Sequence, residues 1–188
     1  CLPRCSACTI DLEVLCNMRK LILFLLVTLL CRPLWAADPV ILVVGDSLSA
    51  GYGIELEQGW VALLQKHLKQ SGYRHRVVNA SISGDTTSAA LRRMPMAIKQ
   101  YQPGIVILEL GGNDGLRGLS LGRTRDNFEK MVELAQQEGA KVLLLGMRIP
   151  PNYGLRYTQG FEALYRDLVK KYSLAFPFTI IKFSLTFI

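Results

Sequence analysis

The sequence predicts an α/β fold built on a parallel, doubly wound sheet, and three observations carry that expectation. Short β-branched runs alternate with helical stretches from Pro39 onward. The runs are apolar at nearly every position, as in strands covered on both faces. Polar, glycine-rich segments follow the first three of them. Strand–helix alternation at this spacing calls for right-handed crossovers. A chain of 188 residues, half of them apolar, holds one such domain with a sizeable core.

The first strand is expected at 40–44, where the chain reads Val-Ile-Leu-Val-Val. The second is expected at 76–79, the third at 104–110, the fourth at 141–146 and a fifth at 174–178. Helices are expected between them at 58–70, 88–100, 124–138 and 157–171. Pro95 should kink the second helix or mark its start. Gly45-Asp46-Ser47-Leu48-Ser49 follows the first strand, Ser81-Ile82-Ser83-Gly84-Asp85 the second and Gly111-Gly112-Asn113-Asp114-Gly115 the third. In an open parallel sheet the strand C-terminal ends border the ligand crevice, so three such segments converge on one site.

The ends of the chain read differently from its middle. Residues 1–17 begin with Cys, lack periodicity and are expected to be a non-native upstream extension. Met18-Arg19-Lys20, the apolar run over 21–30 and the pair Ala36-Ala37 make a signal-peptide pattern over 18–36. Periplasmic or secreted localisation follows from it. The domain then covers 37–178. Residues 179–188 are apolar and β-prone with one charge, and read as an aberrant tail of a truncated chain.

Composition excludes several classes of function. All five cysteines lie in the first 31 residues, so the domain has neither disulfides nor thiolate metal sites. No metal or cofactor is expected. Four basic and two acidic residues fall in 1–36, which leaves +5 of the formal +7 on the remainder. Those basic residues are scattered, which suits peripheral contact with anionic lipid and not nucleic acid. The phosphate-loop, dinucleotide and Gly-x-Ser-x-Gly signatures are all absent from the expected site.

The glycine-rich segments admit acyl chemistry. Ser47, between a strand end and a helix start, has an exposed oxygen and a free backbone N–H. Ser49 is expected to cap the helix, leaving Ser47 for chemistry. The Ser47 N–H, the Gly84 N–H and the Asn113 amide would together hold an oxyanion.

Gly45-Asp46-Ser47-Leu48, Gly84-Asp85 and Gly111-Gly112-Asn113-Asp114 resemble successive blocks of the SGNH, or GDSL-type, hydrolase superfamily. The stretches over 78–86 and 109–118, and Pro150-Pro151-Asn152-Tyr153-Gly154, are similar to its bacterial thioesterase I, lysophospholipase and arylesterase branch. The resemblance implies a three-layer α/β/α sandwich with a parallel, flavodoxin-like sheet, needing no metal or cofactor. It implies a monomeric enzyme that cleaves carboxylic esters, acyl thioesters or lysophospholipids. Ser47 would be the nucleophile, and Gly84 and Asn113 the oxyanion donors. Asp46, Leu48, Asp114, Pro151, Asn152 and Tyr153 would lie along the substrate. The family's final block, Asp-x-x-His, has no counterpart in this sequence, and His67 and His75 do not fall where it belongs. A serine needs such a base, so the chain as given is expected to be nearly inactive. The rival readings are a noncatalytic acyl-binding module, an unstable fragment and a flavodoxin-like nucleotide binder.

Overall fold

At the centre lies β1 (Val40–Gly45), every residue of which is buried. In the computed structural model it pairs in parallel with β2 (Arg76–Asn79) on one side and β3 (Ile105–Glu109) on the other, and β3 pairs with β4 (Lys141–Leu144). The sheet order is therefore β2-β1-β3-β4. The structure describes residues 38–175 and 181–182. The expected extension over 1–17, the signal peptide over 18–36 and most of the tail lie outside the described residues.

Between the strands run α1 (Ser47–Ala50), α2 (Trp60–Gln70), α3 (Thr87–Tyr101), α4 (Gly112–Leu116) and α5 (Leu121–Gln137). After β4 come β5 (Met147–Arg148), a 3₁₀ turn over Pro151–Tyr153 and α6 (Leu155–Tyr172). A last strand, β6 (Ile181–Lys182), pairs in parallel with β5. The strand expected at 174–178 is represented by a single parallel bridge from Ala175 to Leu143; residues 176–178 lie outside the described part.

Alternation along the strands sorts the core into two layers. Leu42, Val44, Val106, Leu108, Val142 and Leu144 face α3, α5 and α6, whose Met94, Phe128, Met131, Phe161 and Leu168 are buried against them. Ile41, Val43 and Ile107 face α2 through Val61, Trp60 and Leu64. The α/β/α sandwich expected from the sequence is thus present. Its route matters for the site: the chain leaves β1 by α2 on one face, toward β2, and leaves β3 by α5 on the other, toward β4. The two crossovers diverge between β1 and β3, and a crevice at their C-terminal ends is where an open α/β sheet binds ligand.

Two helix starts differ from expectation for a physical reason. The Thr86 hydroxyl accepts the Ala89 N–H, so α3 begins at Thr87 with Pro95 in its interior. Pro95 therefore does not mark the start; it lies on the exposed face, where its ring meets solvent. The Ser120 hydroxyl accepts the Arg123 N–H, starting α5 three residues earlier than its apolar pattern suggests.

Candidate active site

The three segments after β1, β2 and β3 form one hydrogen-bonded cluster. The Ile82 N–H donates to the Gly45 carbonyl at 3.1 Å, joining the first two. The Asn113 side-chain amide donates to the Asp85 carbonyl at 3.0 Å and to the Asp46 carboxyl at 3.3 Å, joining the third to both. Ser47 is next in the chain to Asp46, and Gly84 next to Asp85. The segments that carry Ser47, Gly84 and Asn113 therefore meet at the strand ends, with Ser47 half-buried and Gly84 exposed at a φ of +83°.

The local sequence explains how each is held. Gly111 has a φ of +99° and packs so closely that a Cβ there would meet the Tyr165 hydroxyl. The turn it makes swings Asn113 back over the strand ends. Arg93 on α3 holds the second segment from below, with one N–H on the Asp85 carboxylate at 2.8 Å and another on the Ala80 carbonyl. Arg117 reaches the Gly84 carbonyl at 3.1 Å.

The hydroxyl expected to cap α1 does something else. The N-cap is Asp46, whose carboxyl accepts the Leu48 N–H at 3.1 Å. Ser49 is buried and donates to Glu109 Oε2 at 2.5 Å. Ser47 is still left without a capping duty, but Asp46 supplies the cap because it stands immediately before the helix, whereas Ser49 lies inside it.

Two of the residues expected along the substrate stand behind it instead. Asp46 is fully buried and spends its carboxyl on Leu48 and Asn113. Asp114 is buried too. It accepts from the Thr87 N–H at 2.9 Å, the Thr87 hydroxyl at 2.6 Å and the Thr124 hydroxyl at 3.3 Å, tying α4 to the starts of α3 and α5. A carboxylate so engaged has little capacity left for a ligand. Leu48 is exposed at the crevice, and Pro151, Asn152 and Tyr153 are exposed on the 3₁₀ turn. The Tyr153 hydroxyl fastens that turn to the Leu116 carbonyl at 2.9 Å, and a cleft of about 560 Å³ opens beside it, lined by Leu121, Leu155 and Tyr157.

Glu109, the last residue of β3, was not singled out by the sequence pattern. It is fully buried. Burial, reinforced by the Asp46 carboxylate, pushes its carboxyl up to about 8, against the pull of the Ser49 hydroxyl and the Asp46 and Ser49 backbone N–H groups. Burial also raises Asp46; the Leu48 N–H opposes this, and Asp114 and Asp85 add to it. The one available signal was a lone acid ending the run Ile105-Val106-Ile107-Leu108.

The histidines stand elsewhere. His67 is exposed in the last turn of α2, and His75 immediately precedes β2. Both positions belong to the N-terminal edge of the sheet, opposite the crevice.

A crevice of this composition at the end of a parallel sheet is shared by a defined group of proteins. The profile of the GDSL-like lipase/acylhydrolase family matches residues 43–183. The chain belongs to the GDSL-like lipase/acylhydrolase family.

Other members resemble it closely. An esterase, TesA of Pseudomonas aeruginosa, is 51% identical over 148 residues, which are 79% of this chain and 74% of that protein. A thioesterase 1/protease 1/lysophospholipase L1 of Escherichia coli is 42% identical over 151 residues, 80% of this chain and 71% of that one. The crystal structure of AlinE4, an SGNH-hydrolase family esterase, superposes with a TM-score of 0.71 at 40% identity, covering 75% of this chain and 76% of the other. As a member of this family the chain is an esterase-type hydrolase.

Proposed function

We propose that this GDSL-family chain is a serine acyl-ester hydrolase that forms an acyl-enzyme at Ser47. The convergence of Asn113 on both Asp46, the neighbour of Ser47, and the Asp85 carbonyl, next to Gly84, supports this reading. The Ser47 oxygen attacks the acyl carbonyl, whose oxygen becomes negative. The Ser47 N–H, the Gly84 N–H and the Asn113 amide receive that charge, the longer Asn113–Asp46 bond giving way to it. The leaving group departs with a proton, and water then releases the acyl group. Carboxylic esters, acyl thioesters and lysophospholipids are the substrate class, as the names of the relatives indicate. Leu48, Pro151, Asn152 and Tyr153 border the path of the acyl chain. Exposed Ile54, Leu56 and Ile82 on the rim suit peripheral contact with lipid. Export to the periplasm or medium follows from the leader pattern over 18–36, and a monomer suffices because all three oxyanion donors come from one chain.

Both histidines, His67 and His75, lie at the edge of the sheet opposite the crevice. That observation favours a second reading, an acyl-binding module with little turnover. Hydrolysis of p-nitrophenyl butyrate separates the two. Under the first reading Ser47→Ala abolishes turnover and Asn113→Ala lowers kcat about 10²–10³-fold. Acyl binding without turnover, unchanged in Ser47→Ala, establishes the second.

A further inference from the structure

Glu109 is a buried acid that the acyl-transfer steps do not use. Burying a carboxyl is expensive unless it is paired, and an apolar residue would continue the run Ile105–Leu108 at less cost. The titratable groups facing it are Asp46 at the start of α1 and the Tyr165 hydroxyl from α6, with Asp114 and Asp85 beyond Asp46; none is a cation. Glu109 Oε1 has no hydrogen-bond partner among the described residues. Its other oxygen takes the Ser49 hydroxyl.

Those contacts bracket the nucleophile. Four residues make up α1, too few to hold their own shape, so it depends on tertiary contacts. The Leu48 N–H goes to the Asp46 carboxyl and the Ala50 N–H to the Asp46 carbonyl. Glu109 Oε2 takes the Ser49 hydroxyl. From the other side, the Asn79 amide donates to the Ser49 carbonyl at 2.7 Å. The fit is tight: a Cβ on Gly45 would lie 2.5 Å from Ser49 Oγ and 2.9 Å from Glu109 Oε2.

We propose that Glu109 is a positioning residue for Ser47, its carboxyl bridging to Ser49 so that the short helix α1 is fixed on the end of β3 with the Ser47 hydroxyl and N–H turned to the crevice. It acts through Ser49 and touches no substrate. In its neutral form it accepts from α1 without adding a second negative charge beside Asp46, which the developing oxyanion would oppose.

The assignment rests on Ser47 being the nucleophile, and the test separates the two. Three variants are compared in the full chain: Glu109→Gln, which keeps a neutral acceptor; Glu109→Leu, which keeps the volume; and Ser49→Ala, which removes the bridge. Hydrogen exchange of the α1 amides, read by mass spectrometry alongside the melting temperature, reports positioning whether or not the chain turns over. The expected result is α1 exchange at least about tenfold faster in Glu109→Leu and Ser49→Ala, and near wild type in Glu109→Gln, with the melting temperature held or raised. The second readout is labelling of Ser47 by a p-nitrophenyl alkylphosphonate. The serine oxygen bonds to phosphorus, p-nitrophenolate leaves and the hydroxyl proton passes to solvent. The rate should fall up to about a hundredfold in Glu109→Leu and recover in Glu109→Gln. Unchanged α1 exchange in Glu109→Leu overturns the positioning role. Labelling that survives Ser47→Ala overturns the nucleophile and leaves the exchange result standing.

Discussion

Replacing Glu109 with glutamine removes a titration while keeping a polar acceptor at the same place, and its effect should appear in the pH dependence of stability. In the folded chain the acid is pushed up to about 8 from an ordinary 4.5, chiefly by burial. A raised acid keeps its proton in the folded state while the unfolded chain has already released it. Folding stability linked to Glu109 is therefore complete below pH 4.5 and is lost as pH rises toward 8. The slope is about 1.4 kcal/mol per pH unit, so about 3 kcal/mol should go between pH 5 and pH 7. For a domain of this size that is a fall of roughly 6–12 °C in melting temperature. The assay is urea unfolding of both proteins at pH 5, 6 and 7, followed by circular dichroism. The difference between the two curves cancels the fixed cost of the buried amide and leaves the Glu109 contribution. Wild type should lose stability relative to Glu109→Gln across this range. Parallel slopes would show that Glu109 is already ionised in the fold, and the reasoning about its burial would fail.

Two further outcomes follow from the packing. Gly111→Ala should destabilise by about 2–4 kcal/mol, since its Cβ both meets the Tyr165 hydroxyl and sits at a positive φ; a loss below about 1 kcal/mol in thermal unfolding would contradict the close approach. Asp114→Ala removes three hydrogen bonds from the starts of α3 and α5 and should lower stability by about 2–4 kcal/mol, measured by urea titration. If Asp114 instead served the substrate, stability would hold and only turnover would fall.

The parts of the fold that were legible in the sequence are those where one physical requirement dominates. The strands β1 and β3 lie between two helical layers, so nearly every position is apolar and the runs stand out. The long helices repeat apolar residues at the spacing of one face, and only their starts escaped, because the caps Thr86 and Ser120 stand two and four residues before the expected starts at 88 and 124. The helices α1 and α4, with four and five residues, carry no period to detect. Of the candidate site, Ser47, Gly84 and Asn113 stood out in polar, glycine-rich turns, and the structure brings those three turns together at the strand ends. The duties of Asp46, Ser49 and Asp114 were not legible. Each depends on which partner across the sheet reaches it first, and short polar side chains in turns look alike until their neighbours are known. Glu109 was hidden for the same reason, a single acid at the end of an apolar run.

The opening between β1 and β3 is set by the path of the chain rather than by the residues that line it. From β1 the backbone returns behind the sheet and from its neighbour β3 it returns in front, so a gap is left between them whatever side chains are present. Under the proposed acyl-ester reading, exposed side chains such as Leu48 and Tyr153 can therefore be exchanged to suit longer, shorter or bulkier acyl groups while the buried acids and the turn glycines underneath stay as they are. An engineer who wants a different specificity from this scaffold should vary that outer ring first and leave the supports below it untouched.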